Sequence, residues 1–395
     1  MSDGNWADAI TVEELDADPY PLLARMRRET PVCFIPAVQL WFVTRWADVE
    51  FAGTHTELFD SRVTPSPIDR TMGGESILVT DGEKQRKLRA MLDPSLRPRV
   101  VEASTPGLIE PLVSDLLDAL DGHEEAELMS ELFEPVSVLG LGRVLGLGHL
   151  DGDTLRRWFH GLAQGAINFE DDPARWEISD ATGAEIDRAL APVFERLARE
   201  PDGSTISTML EHATGPVEDR IAQILPTLKV ILLGGMQEPG HAAGTTLAGL
   251  LEAGQLQEVA DDPALVAPAI EEGLRWVAPI GTQTRNARVT TQLGGAEIPA
   301  GASLALLVSS ANRDETVWGD DADRFELHRP RRNHAAFGFG PHYCSGHHFS
   351  RVQMRIVLQR LVERFPRLIA HPEKPVQWSG WEFRAPRTLD VVLRP

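Results

Sequence analysis

The sequence predicts a mainly α-helical fold with a minor β region, carried by one domain over residues 1–395. Three observations support this. Segment after segment repeats apolar residues at three- and four-residue spacing, the period of a helix that buries one stripe. Strand signals are few and short. No Gly/Ser/Pro-rich run and no internal repeat divides the chain.

In chain order, the helical pattern runs from Tyr20 to Arg28, Glu83 to Leu92, Gly107 to Leu120, Pro135 to Leu145, Gly152 to Ile167 and Ala184 to Arg199. Short apolar runs at Val32 to Pro36 and Leu40 to Thr44 read as strands, as does a cluster from Gln283 to Leu307 around the turn residues of GGAEIPAG. The apolar segment from Ile221 to Leu251 is too polar in its middle to span a bilayer and predicts one core helix crossing the molecule. A kink is expected at Pro239, which has no N–H to give to the carbonyl of Gly235. Past Cys344 another helix runs from Arg351 to Phe365, with Val352, Ile356, Val357 and Leu361 on one stripe.

Composition narrows the function. With 38 Lys+Arg against 59 Asp+Glu the net charge is −21, which excludes a surface built to neutralise nucleic-acid phosphates. The start, MSDGNWADAITVEEL, has neither a basic end followed by an apolar run nor a long hydrophobic span, so the expectation is a cytoplasmic chain with no membrane association. Two cysteines exclude a disulfide framework. Cys33, in PVCFIP, reads as a small buried hydrophobe. Cys344, in FGFGPHYCSG, sits among glycines and histidines, on no apolar face.

A sulfur anion that holds a metal needs shielding and backbone N–H groups pointed at it, and glycines permit that approach. The helix start beyond Cys344 adds partial positive charge. These features suit iron ligation. The residues also leave open a structural zinc site using His334, His342, Cys344, His347 and His348, although the C-x-x-C knuckle of such sites is absent, or a cysteine with no ligand.

The spacing F-x-x-G-x-x-x-C-x-G, met by Phe337, Gly340, Cys344 and Gly346, resembles the haem-binding loop of cytochromes P450. That resemblance implies haem b held between the long central helix and the cysteine loop, with Cys344 as the iron ligand and Phe337, Gly338, His342 and Gly346 against the cofactor. O2 is the implied co-substrate. Glu272 and Arg275 match the family's E-x-x-R pair, one face of a helix at i, i+3, and Arg324 in Asp323-Arg324-Phe325 stands where a third member belongs. Arg285, His334 and Arg89 match positions that meet haem propionates. Gln85 stands where relatives usually carry histidine, four residues before Arg89, and is implied as a weaker contact to the propionates. The run Gly234-Gly235-Met236-Gln237-Glu238-Pro239-Gly240 resembles the oxygen-activating segment A-G-x-D/E-T-T, with Gln237 in place of the acid and Glu238 in place of the threonine. Gly235, Gln237 and Glu238 are thereby implied in oxygen chemistry. Glu238 should carry protons, with desolvation raising its pKa.

Within the family, GGMQEPG, PIGTQTR and GWEFRAP resemble bacterial aromatic O-demethylases acting on guaiacol and related methoxyphenols. Such enzymes oxidise the methyl carbon of an aryl methyl ether to a hemiacetal, which releases formaldehyde and leaves a catechol. The implied pocket is Leu78, Phe169, Val230, Gly234, Ile280, Thr284 and Phe383, with Met72 where that group has apolar bulk. Neither a C-x4-C-x2-C pattern nor a dinucleotide-binding Gly-rich turn occurs, so electrons are expected from a separate NAD(P)H-dependent reductase with flavin and a [2Fe–2S] centre. Competing readings are a hydroxylase of terpenes or macrolides, a peroxide-driven peroxygenase suggested by the Glu238 carboxylate, and a haem-based sensor.

Overall fold

The computed structural model describes residues 6–62, 67–168 and 171–394. Helix α1 (Pro19–Glu29) starts at a proline, with Asp18 as N-cap accepting from Tyr20 N at 3.3 Å. A hairpin follows, β1 (Val32–Ile35) against β2 (Leu40–Val43), and then the short β3 (Phe59–Asp60). Helices α2 (Gly82–Leu96) and α3 (Pro98–Ala119) lie in tandem, and α3 begins at Pro98, nine residues before the expected Gly107, because proline suits a first helical turn. After a π-helical turn at Met129–Phe133 come α4 (Glu134–Leu145), α5 (Gly152–Ala166) and α6 (Pro173–Arg199). The last also starts earlier than predicted, where Asp172 caps and Pro173 opens the helix.

The predicted single helix over residues 221–251 is two. Helix α7 (Val217–Gly234) stops, residues 235–237 form an irregular break, and α8 (Glu238–Glu252) begins with Pro239 at its second position. A glycine pair followed by a proline removes both helix propensity and a backbone donor, so the kink becomes an interruption. Helix α8 is buried nearly all round. It packs on α9 (Val266–Trp276), and a Cβ on Gly240 would come within 2.6 Å of the Phe133 carbonyl, so a larger residue would push α8 off the π turn.

Two further strands, β4 (Gln283–Ala287) and β5 (Ser303–Leu306), complete a five-stranded sheet in the order β1-β2-β5-β4-β3. Only β2 and β5 pair in parallel. The chain then forms the cysteine loop and α10 (His347–Arg364), which lies along α3 and also touches α8 and α9. Among the described residues no helix is long and apolar enough to cross a membrane. The fold is mainly helical with small sheets, as the sequence predicts.

Candidate functional site

The loop before α10 is shaped by glycines at positive φ, Gly338 at 75° and Gly340 at 62°, conformations that side chains of L residues rarely adopt. It turns through a short 3-10 segment at Gly340–His342, and Cys344 N–H donates to the Phe337 carbonyl at 2.9 Å. Desolvation raises the Cys344 pKa, against the pull of the Gly346 N–H and of Arg89 and Arg351, while Glu238 pushes it further up. The sulfur is thus deep in the protein, yet the side chain keeps open surface. The Phe337 ring lies under the Arg351 guanidinium, 4.4 Å from its centroid.

Glu238, whose charge acts on that sulfur, stands at the first turn of α8. Its Oε2 accepts from Gln237 N at 3.2 Å, so the carboxyl covers the helix start left exposed by the break. A helix N-terminus favours an anion, but burial outweighs it and pushes the pKa up to about 7. One turn on, His241 is held neutral by burial, its pKa lowered to about 4, and its Nε2 lies 4.0 Å from Glu134 Oε1. The folded protein keeps the Glu238 proton up to about 7, whereas an unfolded chain releases it near 4.5. Its favourable contribution is therefore complete below about pH 4.5 and is lost as pH rises through 7. Between about pH 5 and about pH 8, the wild-type protein should lose on the order of 2–3 kcal/mol relative to Glu238→Gln in denaturant titrations. Parallel stability curves would contradict the shift.

The residues expected at the cofactor rim are arranged differently from one another. Arg285 is 4% exposed; its Nη1 donates to the Thr284 carbonyl at 2.8 Å, while Nε and Nη2 have no hydrogen-bond partner. His334 Nε2 is 3.3 Å from Glu271 Oε2, and Arg351 makes two bonds to the same carboxylate at 2.6 and 3.0 Å. Burial alone would raise the Glu271 pKa; the bonds from His334 and Arg351 prevail and hold it at about 2. Gln85 Nε2 and Arg89 Nη1 donate to loop carbonyls, because α2 runs beside the loop, while Arg89 Nε donates to Asp93. The His342 ring faces Asp81, with Nε2 to Oδ1 2.8 Å. Among the described residues no three His, Cys, Asp or Glu side chains gather to hold a metal ion, so the zinc alternative has no ligand set there.

Glu272 and Arg275 form the expected pair with two bonds of 2.7 Å, at 5% and 1% exposure. The third member is not Arg324. Phe325 turns inward against Gly249 and Trp276, which sends the neighbouring Arg324 side chain to solvent and leaves only its carbonyl to accept from Arg275 Nη2. Arg329 takes the place, with Nε 3.1 Å from Glu272 Oε1 and Nη1 2.9 Å from Asp321 Oδ1.

Of the pocket residues, Ile280 and Phe383 are paired directly by a β-bridge, with Gly281 N–H donating to the Glu382 carbonyl at 2.6 Å. Thr284 precedes Arg285 on β4. Val230 and Gly234 lie on α7, and a Cβ built on Gly234 meets nothing within 4 Å. Leu78 and Phe383 keep large uncovered apolar surfaces, 45% and 52% exposed. Met72 is in the core instead, at 1%. Phe169 lies outside the described residues.

An open sulfur at the head of a helix and a buried guanidinium with two unspent donors together match a haem, whose iron takes a thiolate and whose propionates need cations. A family model described as Cytochrome P450 matches residues 260–383, from just before α9 through the cysteine loop to Phe383. Over 395 residues the chain is 30% identical to cytochrome P450-SU2 of Streptomyces griseolus, covering 94% of each. It is 28% identical over 354 residues to the steroid C26-monooxygenase of Mycolicibacterium smegmatis, covering 87% of each. Its fold matches the crystal structure of the cytochrome P450 enzyme CYP109B1 from Bacillus subtilis with a TM-score of 0.84 at 26% identity, over 95% of this chain and all of that one. Sustained along nearly the whole of these relatives and including the Cys344 loop, this likeness shows that the chain belongs to the cytochrome P450 family, monooxygenases that use haem b and O2.

Proposed function

We propose that the chain O-demethylates a methoxyphenol, guaiacol or a 4-alkylguaiacol, to a catechol and formaldehyde. When bound at Cys344, haem supplies O2 activation and oxidation of a substrate C–H bond. The chain's own residues orient the ring, shut out water and move protons. Arg285 and His334 would hold the propionates. The observation that carries the substrate reading is the uncovered apolar surface of Phe383, bridged to Ile280, together with the open space over Gly234. Flat apolar walls with few polar groups suit a small aromatic ring, which gains from area burial and offset stacking. Leu78, Val230 and Thr284 would complete the wall. The sequence likeness to aromatic O-demethylases points the same way.

Addition of guaiacol or 4-ethylguaiacol should shift the haem iron from low to high spin, and turnover should release formaldehyde in step with catechol. Gly234→Val, whose side chain enters open space, should leave folding intact and weaken the spin response by more than about tenfold. No spectral shift with either phenol would reject the reading. A larger alicyclic substrate is the second reading, favoured by the likeness to a steroid C26-monooxygenase. Electrons would come from a separate NAD(P)H-dependent reductase with flavin and a [2Fe–2S] centre, docking on the Cys344 side, where Tyr343 is 37% exposed.

A further inference from the structure

Helix α2 meets the cysteine loop with residues spaced four apart, and each finds a partner there. Asp81, at the N-cap, has Oδ1 2.8 Å from His342 Nε2. Gln85 Nε2 donates to the Pro341 carbonyl at 2.6 Å. Arg89 Nη1 donates to the Tyr343 carbonyl at 2.7 Å, with a longer bond of 3.4 Å to Pro341. Asp93 accepts from Arg89 Nε through Oδ2 at 3.0 Å and from Ser345 Oγ through Oδ1 at 2.9 Å. Residues at i, i+4, i+8 and i+12 form one stripe of a helix. Their partners, residues 341, 342, 343 and 345, flank Cys344 on both sides.

These donors are aimed at the loop. Gln85 is 2% exposed and its amide nitrogen is committed to Pro341; the Arg89 Nε and Nη1 are committed to Asp93 and the loop. Arg285, by contrast, keeps two buried donors, Nε and Nη2, without a hydrogen-bond partner. The loop itself has little stiffness of its own, because Gly338, Gly340 and Gly346 interrupt it, so its path depends on what its carbonyls and side chains are tied to.

We infer that Gln85, Asp93 and Ser345 are positioning residues for the iron-ligating cysteine. With Arg89 they clamp the backbone on both sides of Cys344 to α2 and so fix the direction in which the sulfur meets the iron, a role distinct from binding the cofactor's carboxylates. The inference rests on Cys344 being the iron ligand.

Holoprotein carrying Gln85→Ala, Asp93→Ala or Ser345→Ala tests it, with Ser345→Thr as the conservative variant and Arg285→Ala as the comparison at the rim. Two readouts separate the roles: the ratio of thiolate-type to other absorption in the reduced carbonyl complex, and the rate at which haem passes to an apoglobin acceptor. The three alanine variants should lower the thiolate ratio by about tenfold, the low end of what partners of metal ligands contribute, with haem transfer close to the wild-type rate. Ser345→Thr should restore the ratio, and Arg285→Ala should speed haem transfer with the thiolate spectrum intact. Alanine variants that keep the thiolate ratio, or that shed haem as Arg285→Ala does without spectral change, would overturn the clamp. Ser345→Ala removes one half-buried hydroxyl and tests the idea even where Gln85→Ala fails to fold. A wild-type protein without thiolate absorption would instead reject Cys344 as the ligand.

Discussion

Glu272→Ala is expected to destabilise the protein by on the order of 3–5 kcal/mol, the cost of stripping the partner from a buried charge. Glu272 accepts from Nε and Nη2 of Arg275 at 2.7 Å each, from Arg329 Nε at 3.1 Å and from the backbone N–H of Glu326 at 2.9 Å. Without it, two guanidinium groups remain in the interior between α9 and the segment before the cysteine loop, and Arg275 is held only by the carbonyls of Asn312, Ala322 and Arg324. Arg329→Ala should also be strongly destabilising, since it ties Glu272 to Asp321. Arg324→Ala should change stability by less than about 0.5 kcal/mol, because its side chain is exposed and its carbonyl survives the substitution. Urea unfolding of the three variants checks the order; an Arg324 effect equal to that of Arg329 would restore the motif-based assignment.

Glu238→Ala should lower product formed per NADH consumed, with the rate of coupled turnover falling on the order of 10²-fold or more, the scale of a positioned acid–base group. The carboxyl is suited to that work by its place and its pKa of about 7, near the pH at which it must both give and take a proton. Glu238→Gln should show nearly the same loss, because the amide keeps the shape and cannot exchange a carboxyl proton. Both variants should still bind substrate, since the residue covers a helix start and leaves the apolar wall of Ile280 and Phe383 intact. Unchanged coupling in either variant would remove Glu238 from the relay. Turnover of the wild-type protein with peroxide alone, matching that with NADH and reductase, would favour the peroxygenase reading.

What could be read in the sequence was local. The cysteine loop declares itself because its glycines and its ligand fall within ten residues, and Glu272 with Arg275 because one helix turn joins them. The partner of that pair depends on the path of an irregular segment, in which burial of Phe325 decides that Arg324 faces out, and no spacing rule carries that information. Pro239 announced a disturbed helix. The glycine pair Gly234-Gly235 ahead of it turns the kink into a three-residue break, and periodicity alone does not say how far two glycines and a proline together unwind a helix. The earlier starts of α3 and α6 were legible in Pro98 and in Asp172-Pro173, as residues that open helices. The α2 clamp was invisible, because Asp93 and Ser345 lie 252 residues apart, Asp93 is in no motif and Ser345 fills a position the loop motif leaves unspecified.

The reduced protein exposed to carbon monoxide gives the most direct measurement, a difference spectrum of the purified chain. Ligation by the Cys344 sulfur predicts the long-wavelength band of a thiolate-bound haem carbonyl, absent in Cys344→Ser. A band where histidine-ligated haem absorbs, or a protein that retains no porphyrin, would contradict it.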